Sequence, residues 1–153
     1  MVQAMDGEDK LRAFMAGIIK HIEEITFFLN PTEESYRRFG EKKAPIYITW
    51  SSENRNQLIM IPECSKGRRH LKLRSPDSGS NPYIAYALLI YAGLDGVRNN
   101  MDPGEPTNLD LADGKADRTD LKKLPLTLEA ARDKALNSAF VRDILGDDYL
   151  KLF

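Results

Sequence analysis

With 153 residues, 42% of them apolar and 29% charged, the chain is long enough for one domain with a real core and is composed like ordinary soluble proteins. Its single cysteine, Cys64, excludes an internal disulfide and points to a reducing, cytoplasmic compartment, and no Cys and His cluster has the spacing of a zinc site. The formal net charge of -1 conceals a basic middle, where Arg37, Arg38, Lys42, Lys43, Arg55, Lys66, Arg68, Arg69, Lys72 and Arg74 crowd together, followed by an acid-rich tail after Asp95.

The chain opens without the apolar segment of an export signal. From Asp9 to Leu29 the apolar residues Leu11, Phe14, Met15, Ile18, Ile22, Ile25 and Leu29 recur at three- and four-residue steps, which predicts an amphipathic helix packed on a core. "NPTE" offers Asn30 as N-cap, Pro31 at the first helical position and Glu33 for a capping box, so a short second helix should run through Arg38.

"APIYITWSS", "NQLIMIP" and "HLKLR" are β-rich runs separated by polar stretches, and three short adjacent strands over about 44–75 read as an antiparallel meander. "SPDSGSNP" is dense in turn formers, with Asp77 as a turn residue and Asn81 and Pro82 as the cap and start of a helix over "YIAYALLIYAGL". That segment is apolar nearly all round. It is too short to span a bilayer, so it is predicted as a buried helix ending near Gly96.

Residues 99–122, rich in Asp, Asn, Gly and Pro, read as a long exposed acidic loop. Thr127 can cap a helix over "LEAARDKAL", Ser138 another over "AFVRDIL", and "DDYLKLF" begins one more turn, so the C-terminal helices occupy about 127–153. Strands flanked by segregated helices make the fold class α+β, with short antiparallel strands packed against several helices.

Chemistry points to the basic middle. In an extended strand His70, Lys72 and Arg74 share one face while Leu71 and Leu73 meet the core. With Arg55 between two strands and Arg37 and Arg38 ending a nearby helix, a sheet can gather these donors around phosphate or carboxylate, as phosphoryl transfer requires. The residues leave two other readings open. One is a solvated sheet face with scattered surface arginines; the other is nucleic-acid binding, with Trp50, Tyr47 and Tyr36 available for stacking. His21, mid-helix with no metal-spaced partner, reads as a structural histidine, and Cys64 in "PECSKG" as a loop cysteine with no paired base. No P-loop, paired carboxylates or nucleophile elbow are visible.

Three stretches, "AGIIKHIEEITFFLNPTEESYRRF", "APIYITWSSENRNQLIMIP" and "LKLRSPDSGSNPYIAYALLIYAGLDGV", resemble in order and spacing consecutive motifs of the C-terminal catalytic domain of glutamine synthetase. The resemblance runs from about Gly7 to Gly96, so residues 1–153 are expected to be a partial domain of that kind. It implies an ATP-dependent carbon–nitrogen ligase that uses Mg2+ or Mn2+, phosphorylates the side-chain carboxylate of glutamate, and lets ammonia or another amine displace phosphate. Carried over by position, Arg38 and Arg74 hold the glutamate substrate and Arg55 stabilises the transferring phosphoryl group.

Three positions depart from the family pattern. His70 stands where a nucleotide-contacting arginine is expected, Lys72 where a metal-binding glutamate is expected, and Lys43 where a flap glutamate is expected. A lysine cannot ligate magnesium as a carboxylate does. The resemblance also implies that the family's metal carboxylates lie upstream of this chain, and that an N-terminal domain of the same or a neighbouring subunit completes each site in a homo-oligomer. The isolated chain is therefore expected to be inactive, with a divergent γ-glutamyl-amine ligase or a catalytically inactive binding and assembly module as alternatives. Neither nucleic acid nor membrane is expected as a partner.

Overall fold

The computed structural model describes residues 7–41, 44–62, 70–109, 111 and 118–153. Helix α1 (Gly7–Leu29) forms the axis of the molecule, and α3 (Pro82–Arg98) crosses it. The crossing is close because glycine faces glycine. A Cβ on Gly17 would lie 2.0 Å from the Ala92 carbonyl oxygen, and one on Gly96 would lie 2.0 Å from the Ala13 carbonyl oxygen. The Phe14 ring covers Gly93, where a Cβ would meet it at 2.2 Å. Backbone therefore packs on backbone, a separation that any side chain at these positions would prevent.

One turn further along α1, Lys20 Nζ reaches Asp95 Oδ2 at 2.9 Å and His21 Nε2 reaches the same oxygen at 2.8 Å. His21 is buried and stacked on Phe140, with its Nδ1 3.3 Å from Glu24 Oε2. The structural reading of this histidine therefore holds. The bond from His21, followed by that from Lys20, keeps the Asp95 carboxyl below the ordinary aspartate range, against a smaller opposing effect of burial.

The other side of α1 is closed by α4 (Leu128–Leu136) and α5 (Ala139–Leu145), and α6 (Asp147–Leu150) packs on α5. Ala131 and Ala135 of α4 are fully buried. Thr127 and Ser138 cap α4 and α5 as expected, accepting from the Ala130 and Val141 amides at 3.1 Å each. Ser138 also donates to Glu24 at 2.6 Å, so the α5 cap is tied to α1. The Phe153 ring closes the end of the stack, edge-on to Phe27 and Phe28.

The sheet is small. Strands β1 (Trp50–Ser51), β2 (Ile59–Met60) and β3 (Lys72–Leu73) lie in the order β1-β2-β3. The pair β2–β3 is antiparallel, but β1 runs parallel to β2, so the full meander is corrected at its first connection. The Ser51 hydroxyl accepts from the amides of Glu53 and Asn54 and turns the chain aside, where a tight hairpin would have reversed it. Leu71 and Leu73 pack against the core while His70 and Lys72 are exposed. Of the acidic loop, Thr107 donates to the Trp50 carbonyl at 2.8 Å and Leu111 is buried, so its described parts are stitched to the sheet edge.

Two further expectations change. Helix α2 (Glu33–Arg37) is capped by Thr32, and Asn30 is buried for another use. Helix α3 begins at Pro82 behind the Asn81 cap as expected but presents an apolar outer face, with Tyr83 84% and Tyr86 67% exposed. Its buried face consists of small residues, Ala85, Ala92, Gly93 and Gly96, together with Leu88. Hydropathy ranks the large outward residues above these small ones and so points to the wrong face. No described helix is long and apolar enough to cross a membrane.

Gly17→Ala is expected to destabilise the fold by about 3 kcal/mol through overpacking at the crossing, whereas Gly7→Ala, with open space around it, should be neutral; thermal melts of the two variants check this. Because the folded pKa of Asp95 is lowered, its contribution is present above the unfolded value near pH ~4 and is lost as pH falls through the folded value. The Tm deficit of Asp95→Asn should therefore be full at pH 7 and shrink below pH ~4, and a deficit that does not vary with pH would contradict this origin.

Candidate anion-binding site

The end of α1, helix α2 and the segment after β3 meet at one corner. Leu29, the last residue of α1, gives its carbonyl to the Asp77 amide at 2.9 Å. Asn30 follows, fully buried, and its Oδ1 accepts from Arg38 Nη2 at 2.7 Å. The same Nη2 donates to the Ser75 carbonyl, and Arg38 Nε lies 3.5 Å from Asp77 Oδ2. The guanidinium, whose side chain is 28% exposed, thus has three oxygen partners along its Nε–Nη2 edge.

Asp77 is the turn residue the sequence suggests, since its Oδ1 accepts the Gly79 amide at 2.8 Å. Its carboxyl is held below the ordinary range first by that amide, then by the Ser35 hydroxyl and by the charge of Arg38, with burial opposing. One aspartate therefore joins the turn to the C-cap of α2 at Arg38.

Arg74 stands beside Ser75 and is anchored through its backbone, donating its amide to the Leu58 carbonyl at 3.0 Å. Among the described residues, four buried side-chain polar atoms have no hydrogen-bond partner: Tyr36 Oη, Arg38 Nε, Arg74 Nε and Ser75 Oγ. All four belong to α2, its C-cap or the 74–75 segment. Arg38 Nε has charge compensation from Asp77 but no hydrogen-bond geometry, and burial pushes the Tyr36 hydroxyl upward. Buried polar atoms are ordinarily satisfied, so four orphans in two segments, 36–38 and 74–75, fit a place where a polar ligand or water completes the set.

Arg38 is bonded to the carbonyl of Ser75, the residue that follows Arg74. Arg55 is exposed in the turn ahead of β2, and His70 and Lys72 are exposed on the outward side of the β3 segment. Lys43 and Cys64 lie outside the described residues. The aromatics weighed for stacking, Tyr36, Tyr47 and Trp50, are buried core residues. Sequence reading missed Asn30 and the Asp77–Arg38 pair. The "NP" of "LNPTE" looks like the capping "NP" before α3, and only the missing bond from Asn30 to α2 separates the two uses.

The family described as glutamine synthetase, catalytic domain, matches residues 3–153. The glutamine synthetase of Methanosarcina mazei is 41% identical over 138 residues, 88% of this chain and 31% of that protein. That of Thermotoga maritima is 34% identical over 148 residues, 94% of this chain and 34% of that protein. Among solved structures, "GmaS/ADP complex-Conformation 1" superposes with a TM-score of 0.80 at 31% identity, covering 97% of this chain and 36% of that one. "Apo GmaS without ligand" gives 0.77 at 33% identity, covering 95% and 34%. The chain spans about a third of the length of the curated relatives it matches.

Arg38→Ala would leave the buried Asn30 Oδ1 and the Ser75 carbonyl without their donor and is expected to cost about 2 kcal/mol of stability. Arg38→Lys should recover only part of this, because one ammonium cannot reproduce the guanidinium edge. Urea denaturation of both variants checks the order.

Proposed function

Because the chain belongs to the glutamine synthetase catalytic-domain family, we propose that it is the C-terminal portion of a cytoplasmic ATP-dependent ligase that joins glutamate and ammonia. In that reaction a γ-carboxylate oxygen of glutamate bonds to the terminal phosphorus of ATP and ADP leaves. The amine nitrogen then bonds to the acyl carbon, phosphate departs, and the nitrogen loses a proton to give glutamine. Both steps concentrate negative charge, which fixed guanidinium groups stabilise. Arg74 and Arg38 are assigned to the glutamate carboxylates and Arg55 to the transferring phosphoryl group, with His70 beside the nucleotide.

The observation that supports this most is at the corner, where Arg38, held along its Nε–Nη2 edge, bonds to the Ser75 carbonyl next to Arg74, whose buried Nε lacks a hydrogen-bond partner. The likeness to the ADP complex of GmaS supports a nucleotide as co-substrate. A divalent cation does not fit the donors present. Among the described residues no group of three His, Cys, Asp or Glu can hold one, and Lys72 presents an ammonium where the resemblance has a carboxylate. Lys43 likewise offers no carboxylate base for the amine. The isolated chain is thus read as an anion-binding third of the catalytic unit, completed by further domains in a homo-oligomer. The exposed ammonium of Lys72 favours, as second reading, a binding or assembly module that keeps the fold without turnover.

Purified chain is expected to form no glutamine from glutamate, ammonia and ATP, and to bind inorganic phosphate weakly, with affinity falling as salt rises. Arg55→Ala should weaken that binding about threefold. Identical calorimetric isotherms for wild type and variant would overturn the assignment of Arg55, and steady turnover by the wild-type chain would overturn its description as inactive.

A further inference from the structure

The turn that follows β3 does more than reverse the chain. Asp77 uses its two carboxylate oxygens differently: Oδ1 takes the Gly79 amide at 2.8 Å and shapes the turn, while Oδ2 faces Arg38 Nε at 3.5 Å. Its backbone amide is also pinned to the Leu29 carbonyl at 2.9 Å. The carboxylate is therefore fixed independently of Arg38 and can orient the guanidinium rather than follow it. Asn30 Oδ1 and the Ser75 carbonyl supply the other two acceptors, and both residues are fully buried.

We propose that Asp77 is a positioning residue of the anion site, holding the Arg38 guanidinium by its Nε–Nη2 edge so that the remaining end addresses a substrate carboxylate together with Arg74. This rests on the reading of Arg38 and Arg74 as carboxylate binders. A carboxylate beside an anion site weakens anion binding by simple charge repulsion; a carboxylate that orients an arginine strengthens it by removing the disorder of a long side chain. The two roles predict opposite signs for one substitution.

Asp77→Asn separates them, because an asparagine Oδ1 still accepts the Gly79 amide and keeps the turn while the charge is lost. Titration of the full chain with L-glutamate, followed by 1H–15N spectra, is expected to show affinity reduced about tenfold in Asp77→Asn. The Arg38 Nε–H resonance should move and the Gly79 amide stay in place.

Equal or tighter glutamate binding by Asp77→Asn, or an unmoved Arg38 Nε–H signal, would overturn the positioning role. Arg74→Ala distinguishes the underlying reading. If wild type and Arg74→Ala respond identically to glutamate, the carboxylate site itself is refuted, and the role of Asp77 within it falls with it.

Discussion

The approach of Gly17 to Gly96 is the constraint on which the rest of the structure depends. It brings the backbones of α1 and α3 together, and every polar contact between the two helices follows from that separation. Lys20 and His21 reach Asp95 only because the crossing lies one turn away. Since α1 is a continuous helix, fixing it at Gly17 also fixes its far end. There Leu29 receives the Asp77 amide and Asn30 meets Arg38. A contact between two glycines is thereby transmitted along the C-terminal half of α1 to the corner that carries the arginines.

The polar cluster at the crossing has a different energetic character from the corner. Around His21 every charged group has an answering partner: Asp95 has Lys20 and His21, Glu24 has His21 and Ser138, and the ring lies flat on Phe140. A satisfied buried network adds to the definition of one packing arrangement. At the corner the opposite holds, with four buried polar atoms unanswered among the described residues. The satisfied end of the helix adds to stability, and on the proposed reading the open end is where an added ligand would complete the set.

Legibility in the sequence followed the scale of the signal. Helix α1, the Asn81, Thr127 and Ser138 caps, and the α+β class were readable because periodicity and capping chemistry are local. The alternation of Leu71 and Leu73 with His70 and Lys72 was equally local and sorted inward from outward correctly. The orientation of α3 was not readable, since its buried face is made of small residues whose value lies in what they allow to approach. The parallel pairing of β1 with β2 and the capture of Asn30 by Arg38 depend on contacts eight or more residues away in sequence, and no propensity encodes them. The motif "AG…KH" and its counterpart "AGLDG" read as family signatures; in the structure they are the two halves of the helix crossing.

The placement of the cations also decides how they divide their work. Arg55 and Lys72 are exposed, so water and salt screen their charges and any pull on an anion would be weak. Arg38 and Arg74 are partly withdrawn from water with buried Nε atoms, so on the proposed reading a hydrogen bond from either to a carboxylate would be strengthened by the lower local dielectric. On the proposed reading the exposed group would steer and the corner would hold. On this division the lysine at position 72 disturbs metal binding more than anion capture, because it adds positive charge to the steering face and leaves the acceptors around Arg38 and the backbone anchor of Arg74 untouched.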